Sequence, residues 1–202
     1  PGRLRELFLP GVELLVLPAP TKRTGPPRNT AFTVIAVLRH GFPIFLHTGL
    51  TNDIVALLIA GNHIPALAGW NIRKREVRVE RSRFDFLLER HSRQLYLEVK
   101  SCTLFGNDVA MFPDAITARG RRHLQELAEM AATGVEAAVL FAIHSPSVKW
   151  FMPDYHTDLA FSQTLLSVAG NLDIFAVSLP WTRVLALRPP ARMVPIPWAH
   201  LE

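Results

Sequence analysis

One cysteine, Cys102, stands in 202 residues. A lone thiol excludes an internal disulfide and a multi-cysteine zinc site, and it fits a reducing compartment such as the cytoplasm. Next to strand-type residues, Cys102 reads as a small buried side chain rather than a nucleophile. No apolar run approaches the roughly 18 or more residues of a membrane span, and no signal peptide is evident, so no membrane partner is expected. The sequence shows no repeats and no low-complexity tracts. It opens at Pro1 without an initiator methionine, as a fragment or processed product would. Aromatic side chains suited to stacking single-stranded bases are few in residues 1–50, where Phe8, Phe32, Phe42 and Phe45 are available.

What is present is a globular composition, 49% hydrophobic and 19% charged, in a length that suits one large domain or two small ones. Lys and Arg number 22 against 17 Asp and Glu, a net charge of +5, which favours an anionic partner.

Residues 1–50 read as β-rich. A turn signal at Pro10-Gly11 precedes an apolar run over residues 12–17, and residues 31–38 and 43–46 are strand candidates around the turn His40-Gly41. Short strands joined by turns suggest a barrel or part of one. The loop 21–28 carries Lys22, Arg23 and Arg28, a solvated segment or a phosphate contact. Thr51–Ala60 predicts a helix capped at Thr51 or Asn52 and ended by Gly61. Strand candidates follow at residues 74–80, 84–88 and 95–99, then a loop and an amphipathic helix whose stripe is Leu124, Leu127 and Ala128. Residues 137–143 form an unbroken apolar run of the kind found in a buried parallel strand. A helix over 158–168 and a strand over 174–179 come next, and the Pro-rich tail from Leu187 predicts extended chain.

The stretch RSRFDFLLERHSRQLYLEVKSCTL, residues 81–104, carries the chemistry. Alternation in a strand puts Glu98 and Lys100 on one face and Leu97 and Val99 on the other. Asp85 is the acid between Phe84 and Phe86 on the partner strand. Two carboxylates and a lysine on adjacent strands can hold a divalent cation beside an ammonium. Asp, twelve residues, then Glu-x-Lys is the spacing of the PD-(D/E)xK nuclease pattern, with Phe84 where Pro often stands. Glu-x-Lys on an exposed strand is also a common solvated pair. The order from residue 51 onward, helix, three strands, helix, strand, is the αβββαβ layout in which that pattern occurs. Pro113-Asp114 starts a second such register, but no Glu-x-Lys follows it.

Four motifs in order, PGRLRELFLPG, SRFDFLL, YLEVKSCTL and FPDAITARGRRHLQEL, resemble the sugar fermentation stimulation protein A (SfsA) family over essentially the whole chain. The resemblance implies a mixed α/β protein: an OB-like β-barrel in residues 1–50, entered here part-way so that its first strand is missing, and a PD-(D/E)xK nuclease-like domain in residues 51–202. It implies non-specific DNA binding with a role in regulating sugar, notably maltose, metabolism. The alternative is an active Mg²⁺- or Mn²⁺-dependent nuclease on DNA or RNA. Matched residue by residue, Asp85, Glu98 and Lys100 are the metal and catalytic trio, with the Val99 carbonyl as a further metal ligand. Glu76, Asp114, Arg119 and His123 match supporting positions, and Glu6 falls in the first motif. Asp158 stands where the family reads Asp-Pro, with Leu159 in place of the proline.

Arg119 and His123, four apart, share a helix face and suit a phosphate clamp. Asp114 alternatively caps that helix. Arg3, Lys22, Arg23, Arg28 and Arg83 are candidate nucleic-acid contacts, and the run Arg73, Lys74, Arg75, with Arg81, is either solvated surface or the approach to the site. The remaining histidines, among them His47 and His144, show no metal-ligand spacing and read as ordinary polar residues.

Overall fold

Turn chemistry and β-branched runs in the first fifty residues give three strands: β1 (Leu14–Pro18), β2 (Phe32–Arg39) and β3 (Phe42–Phe45). The computed structural model describes residue 4 and residues 6–19, 29–39 and 41–201. Within them the strands form an antiparallel sheet in the order β1-β2-β3, and Gly41 makes the β2–β3 turn at φ +77°, where other residues are strained. Leu4, Leu7, Val37, Ile44 and Leu46 bury a small core under it. The described residues thus hold an open three-stranded sheet where a barrel was expected.

The larger body follows: α1 (Thr51–Ala60), β4 (Asn71–Val79), β5 (Ser82–Arg90), β6 (Arg93–Cys102), β7 (Leu104–Gly106), β8 (Val109–Phe112), α2 (Ala118–Ala132), β9 (Glu136–Ile143), β10 (Trp150–Pro153), α3 (Leu159–Val168), β11 (Asp173–Ser178) and β12 (Arg192–Met193). Six strands make one mixed sheet in the order β12-β11-β9-β6-β5-β4. The apolar run becomes β9, parallel to β6 on one side and to β11 on the other, which is why it has no polar face. The basic run lies on β4, the outer strand of this sheet. Charges there also discourage edge-to-edge pairing.

Two cores lie on either side of the sheet. One packs Ile54, Val55, Leu58 and Ile59 of α1 against Phe86, Leu88, Leu97 and Leu140. The other packs Leu124 and Leu127 of α2, with Phe161 and Leu165 of α3, against Phe84, Val139 and Phe141. The helix–three strands–helix–strand order is present from α1 to β9, interrupted by the short pair β7–β8, and β10 follows it and joins β8 in parallel. Segments of three or four residues without alternation gave no signal for them. Asp158 caps α3 by accepting from the Phe161 amide (2.9 Å) and also accepts from the Thr117 amide (2.8 Å), so one buried carboxylate ties two helix starts together. Among the described residues, no helix is long and apolar enough to cross a membrane.

Phe141, fully buried, stacks on Phe151 at 4.3 Å and meets Phe112 at 5.3 Å. Phe141→Ala is expected to cost about 3–5 kcal/mol. Urea unfolding checks it: the midpoint should fall with the slope unchanged, and a loss under about 1 kcal/mol would contradict this packing.

Candidate functional site

The hydrogen-bond ladder between β5 and β6 stops short. Pairing runs from Arg90↔Arg93 to Phe86↔Leu97 and goes no further along β5. Beyond that point the Val99 amide donates to a side chain, Asp85 Oδ2, at 2.7 Å. Phe84 and Phe86, two apart, enter opposite cores, so strand alternation breaks at Asp85. On the next strand Glu76 lies opposite Asp85, between the pairs Arg75↔Phe86 and Val77↔Phe84, and has φ +55°. The sequence reading treated Asp85 as part of a regular strand. The structure instead places it in an opening of the sheet, as a stand-in for the missing ladder partner. Its other oxygen, Oδ1, accepts from Asn52 Nδ2 of α1 at 2.7 Å.

Glu98 and Lys100 share a face of β6, as alternation predicts, and the Lys100 ammonium contacts Glu98 Oε1. The same oxygen lies 2.6 Å from His123 Nδ1. Arg119 Nε donates to His123 Nε2 (3.4 Å), which leaves Nδ1 as the nitrogen bearing the proton toward Glu98. The ring also packs edge-on against Phe84, 5.8 Å away. Glu98 is 5% exposed, and its second oxygen, Oε2, has no hydrogen-bond partner among the described residues.

These surroundings divide the two acids. Burial, with Glu98 close by, pushes the Asp85 carboxyl up from 3.8 to about 6, against the bonds from Val99 and Asn52 and the charge of Lys100. Burial also acts to raise Glu98, but the His123 hydrogen bond and the Lys100 ammonium outweigh it, so its carboxyl sits below the ordinary range. The Cys102 thiol is pushed up to about 12 by burial and donates to the Met111 carbonyl at 3.1 Å, an inert core residue as expected.

The other expected residues divide in two. Arg119 and His123 join the cluster. Glu76 turns to Arg83 (2.7 Å), both about half exposed on the β4–β5 hairpin. Asp114 does not cap α2; Thr117 does, accepting from the Gly120 amide at 3.0 Å. In the basic run, Arg73 pairs with Glu89 (3.2 Å), and Arg75 pairs with Asp53 (2.6 Å) and lies over the Phe86 ring. Glu6 accepts from Arg39 through its backbone carbonyl. Arg3, Lys22, Arg23 and Arg28 lie outside the described residues. Among the described residues no three His, Cys, Asp or Glu side chains gather in metal-ligand geometry.

Sequence reasoning missed Asn52, Thr51 and His144. Thr-Asn before an apolar helical stripe signals a cap, yet the N-cap position is Leu50, with no side-chain cap bond. His144 is fully buried between Thr51 and Trp181, and burial pushes it down to about 3.

A family model described as "Sugar fermentation stimulation protein RE domain" matches residues 49–183. A sugar fermentation stimulation protein homolog of Methanothermobacter thermautotrophicus is 38% identical over 165 residues, 82% of this chain and 67% of that protein. The homolog of Moorella thermoacetica is 39% identical over 178 residues, 87% of this chain and 75% of that protein. The structure of Pyrococcus furiosus SfsA in complex with Ca²⁺ aligns with a TM-score of 0.82 and 28% identity, over 96% of this chain and 82% of that one. With the family model spanning most of its length, the chain belongs to the sugar fermentation stimulation protein (SfsA) family.

Proposed function

We propose that this protein binds DNA without sequence preference and that Asp85, Glu98 and Lys100 form a divalent-cation site for phosphodiester hydrolysis. The observation that carries the reading is the opened ladder beside two neighbouring carboxylates, one of them with a buried oxygen that has no partner among the described residues. A buried anionic oxygen without a donor is costly unless a ligand completes its shell. Hard cations such as Mg²⁺ and Mn²⁺ take carboxylate and carbonyl oxygens. The donors Asp85, Glu98 and the Val99 carbonyl fit that preference, and a strand residue's N–H and C=O point the same way, so this carbonyl faces the same opening as the Val99 amide. The family member solved with Ca²⁺, also an oxygen-seeking cation, supports the assignment. When bound, such a cation supplies Lewis-acid polarisation of the phosphate and a more acidic water.

The chain's own residues have separate tasks. His123 holds Glu98 in place, and Asn52 with the Val99 amide holds Asp85. Lys100, mostly buried against Glu98, offers an ammonium to negative charge developing on the phosphate. Arg119, exposed beside His123, suits a phosphate oxygen, and Arg78, Arg81 and Arg83 on the β4–β5 hairpin suit the nucleic-acid backbone. In this reading residues 1–50 are an accessory nucleic-acid-binding part and residues 51–202 the catalytic part, and a regulatory role in sugar use follows from DNA binding. RNA is the other candidate substrate. One observation favours a second reading, binding on a nuclease-like frame without cleavage: among the described residues no third side-chain ligand joins the two carboxylates.

Cleavage of labelled single- and double-stranded DNA and RNA in Mg²⁺, Mn²⁺ or EDTA tests both. Metal-dependent cutting is expected, reduced at least about 100-fold by Lys100→Ala and by Asp85→Ala, with salt-sensitive binding retained. Binding without cutting would leave the second reading. Loss of both in the wild type would sink the function proposed.

A pH prediction follows from Asp85, whose folded value lies above its unfolded one. Its contribution to stability in EDTA is therefore fully present below about 3.8 and is lost as pH rises through about 6. The stability difference between wild type and Asp85→Ala should shrink across that window by up to about 3 kcal/mol. Mn²⁺ should raise the wild-type Tm at pH 7.5 and do so progressively less below about pH 6, where a proton competes for Asp85. Chemical denaturation and thermal scans in EDTA and in Mn²⁺ check both signs.

A further inference from the structure

Helix α1 begins with two cap-type residues that do not cap it. Thr51 and Asn52 lie inside its first turn, and both side chains reach other elements. Thr51, 2% exposed, puts its hydroxyl 3.1 Å from Nε2 of the fully buried His144. Nδ1 of that ring accepts from Trp181 Nε1 at 3.3 Å. Indole nitrogen only donates, so the His144 proton sits on Nε2 and is given to Thr51. The Thr51 hydroxyl is then free to donate to Ser101 Oγ on β6, 3.3 Å away and next in sequence to Lys100. Asn52, the following residue, donates to Asp85.

The far end of this chain of bonds is anchored by stacked rings. Phe45 of β3, in the small sheet, lies 5.0 Å from the Trp181 ring at 22° and 5.3 Å from the His144 ring. All three side chains are buried. Donor and acceptor roles are filled at every step from Trp181 to Ser101, so the network has one arrangement rather than several. It crosses from β6 to α1 at the level where β5 and β6 part, where the β5–β6 ladder no longer reaches Asp85.

We propose that the His144–Thr51 pair, held against Phe45 and Trp181, is a positioning device that fixes the first turn of α1 so that Asn52 orients Asp85 toward the Val99 amide. Asn52 and Thr51 are positioning residues: each acts through Asp85. The proposal deepens the reading of the cation site given above and rests on it for its purpose, though the orientation of Asp85 exists without any cation. It also links the small sheet to the site, because Phe45 belongs to β3.

The test uses the full chain and two readouts, Val99 amide hydrogen exchange by NMR in EDTA and Mn²⁺ affinity by calorimetry. In Asn52→Ala and Thr51→Val the Val99 amide should exchange at least about tenfold faster while amides along β9 keep their protection, and Mn²⁺ affinity should fall about tenfold or more. Thr51→Ser, which keeps the hydroxyl, should restore Val99 protection. If Thr51→Val does not fold, Asn52→Ala decides, since it removes only a half-buried amide. Wild-type Val99 exchange in Asn52→Ala would overturn the proposal whatever the metal result. Faster Val99 exchange in a protein whose wild type takes up no Mn²⁺ would uphold the positioning and overturn the cation reading alone.

Discussion

One sheet hydrogen bond given to a side chain governs this molecule. The Val99 amide bonds to Asp85 rather than to the β5 backbone, and that exchange creates the opening in which two acids meet. Strand β6 can part from β5 without unravelling because its other edge is secured. Its register with β9 runs unbroken from Leu95↔Glu136 to Cys102↔Ile143, past the level of the opening. The distortion is confined to the antiparallel side, where β4 carries Glu76 at φ +55° opposite Asp85. Strained backbone clustered at one level of a sheet is a common companion of a functional site.

Each face of the sheet supplies one support for the pair. From the α1 side Asn52 holds Asp85, and from the α2 side His123 holds Glu98. Helix packing is thereby translated into carboxylate orientation. Leu124 and Leu127 seat α2, and the i, i+4 spacing then brings Arg119 onto His123. A repacking of either helix would move a carboxylate, which makes the apolar stripes part of the site although none of their atoms enters it.

The legible part of this arrangement was whatever depends on spacing along the chain. Residues 137–143 announced a doubly covered strand, the 3.6-residue stripe announced α2, and Asp85 with Glu98-x-Lys100 announced the cluster. Hidden was whatever depends on one strand's register against another or on a competing local use. Glu76 and Arg83 pair across the hairpin because the strand reverses there, which no periodicity reveals. Asp114 and Thr117 are both cap-type residues just ahead of α2, and the choice between them is made by tertiary position. Thr51-Asn52 carries a strong local capping signal, and a buried histidine more than ninety positions away overrode it. In each case a local rule named the right kind of residue and the wrong partner.

The asymmetry between the two acids bears on the proposed chemistry. Glu98 receives His123 and Lys100 and is settled as an anion, whereas Asp85 receives hydrogen bonds only from neutral donors and sits half-buried beside that anion. Raising a carboxyl from 3.8 to about 6 corresponds to about 3 kcal/mol of differential interaction, borne by the rest of the fold. The pair thus accepts one negative charge readily and the second only at a cost. A divalent cation removes that cost, and a monovalent one removes less of it, because the repulsion is between two full charges in a partly desolvated place. A structural ion pair gains nothing from such tension, since Glu98 and Lys100 satisfy each other without Asp85. In the proposed reading, the tension would give the site an affinity for a dication that rises as Asp85 gives up its proton around pH 6.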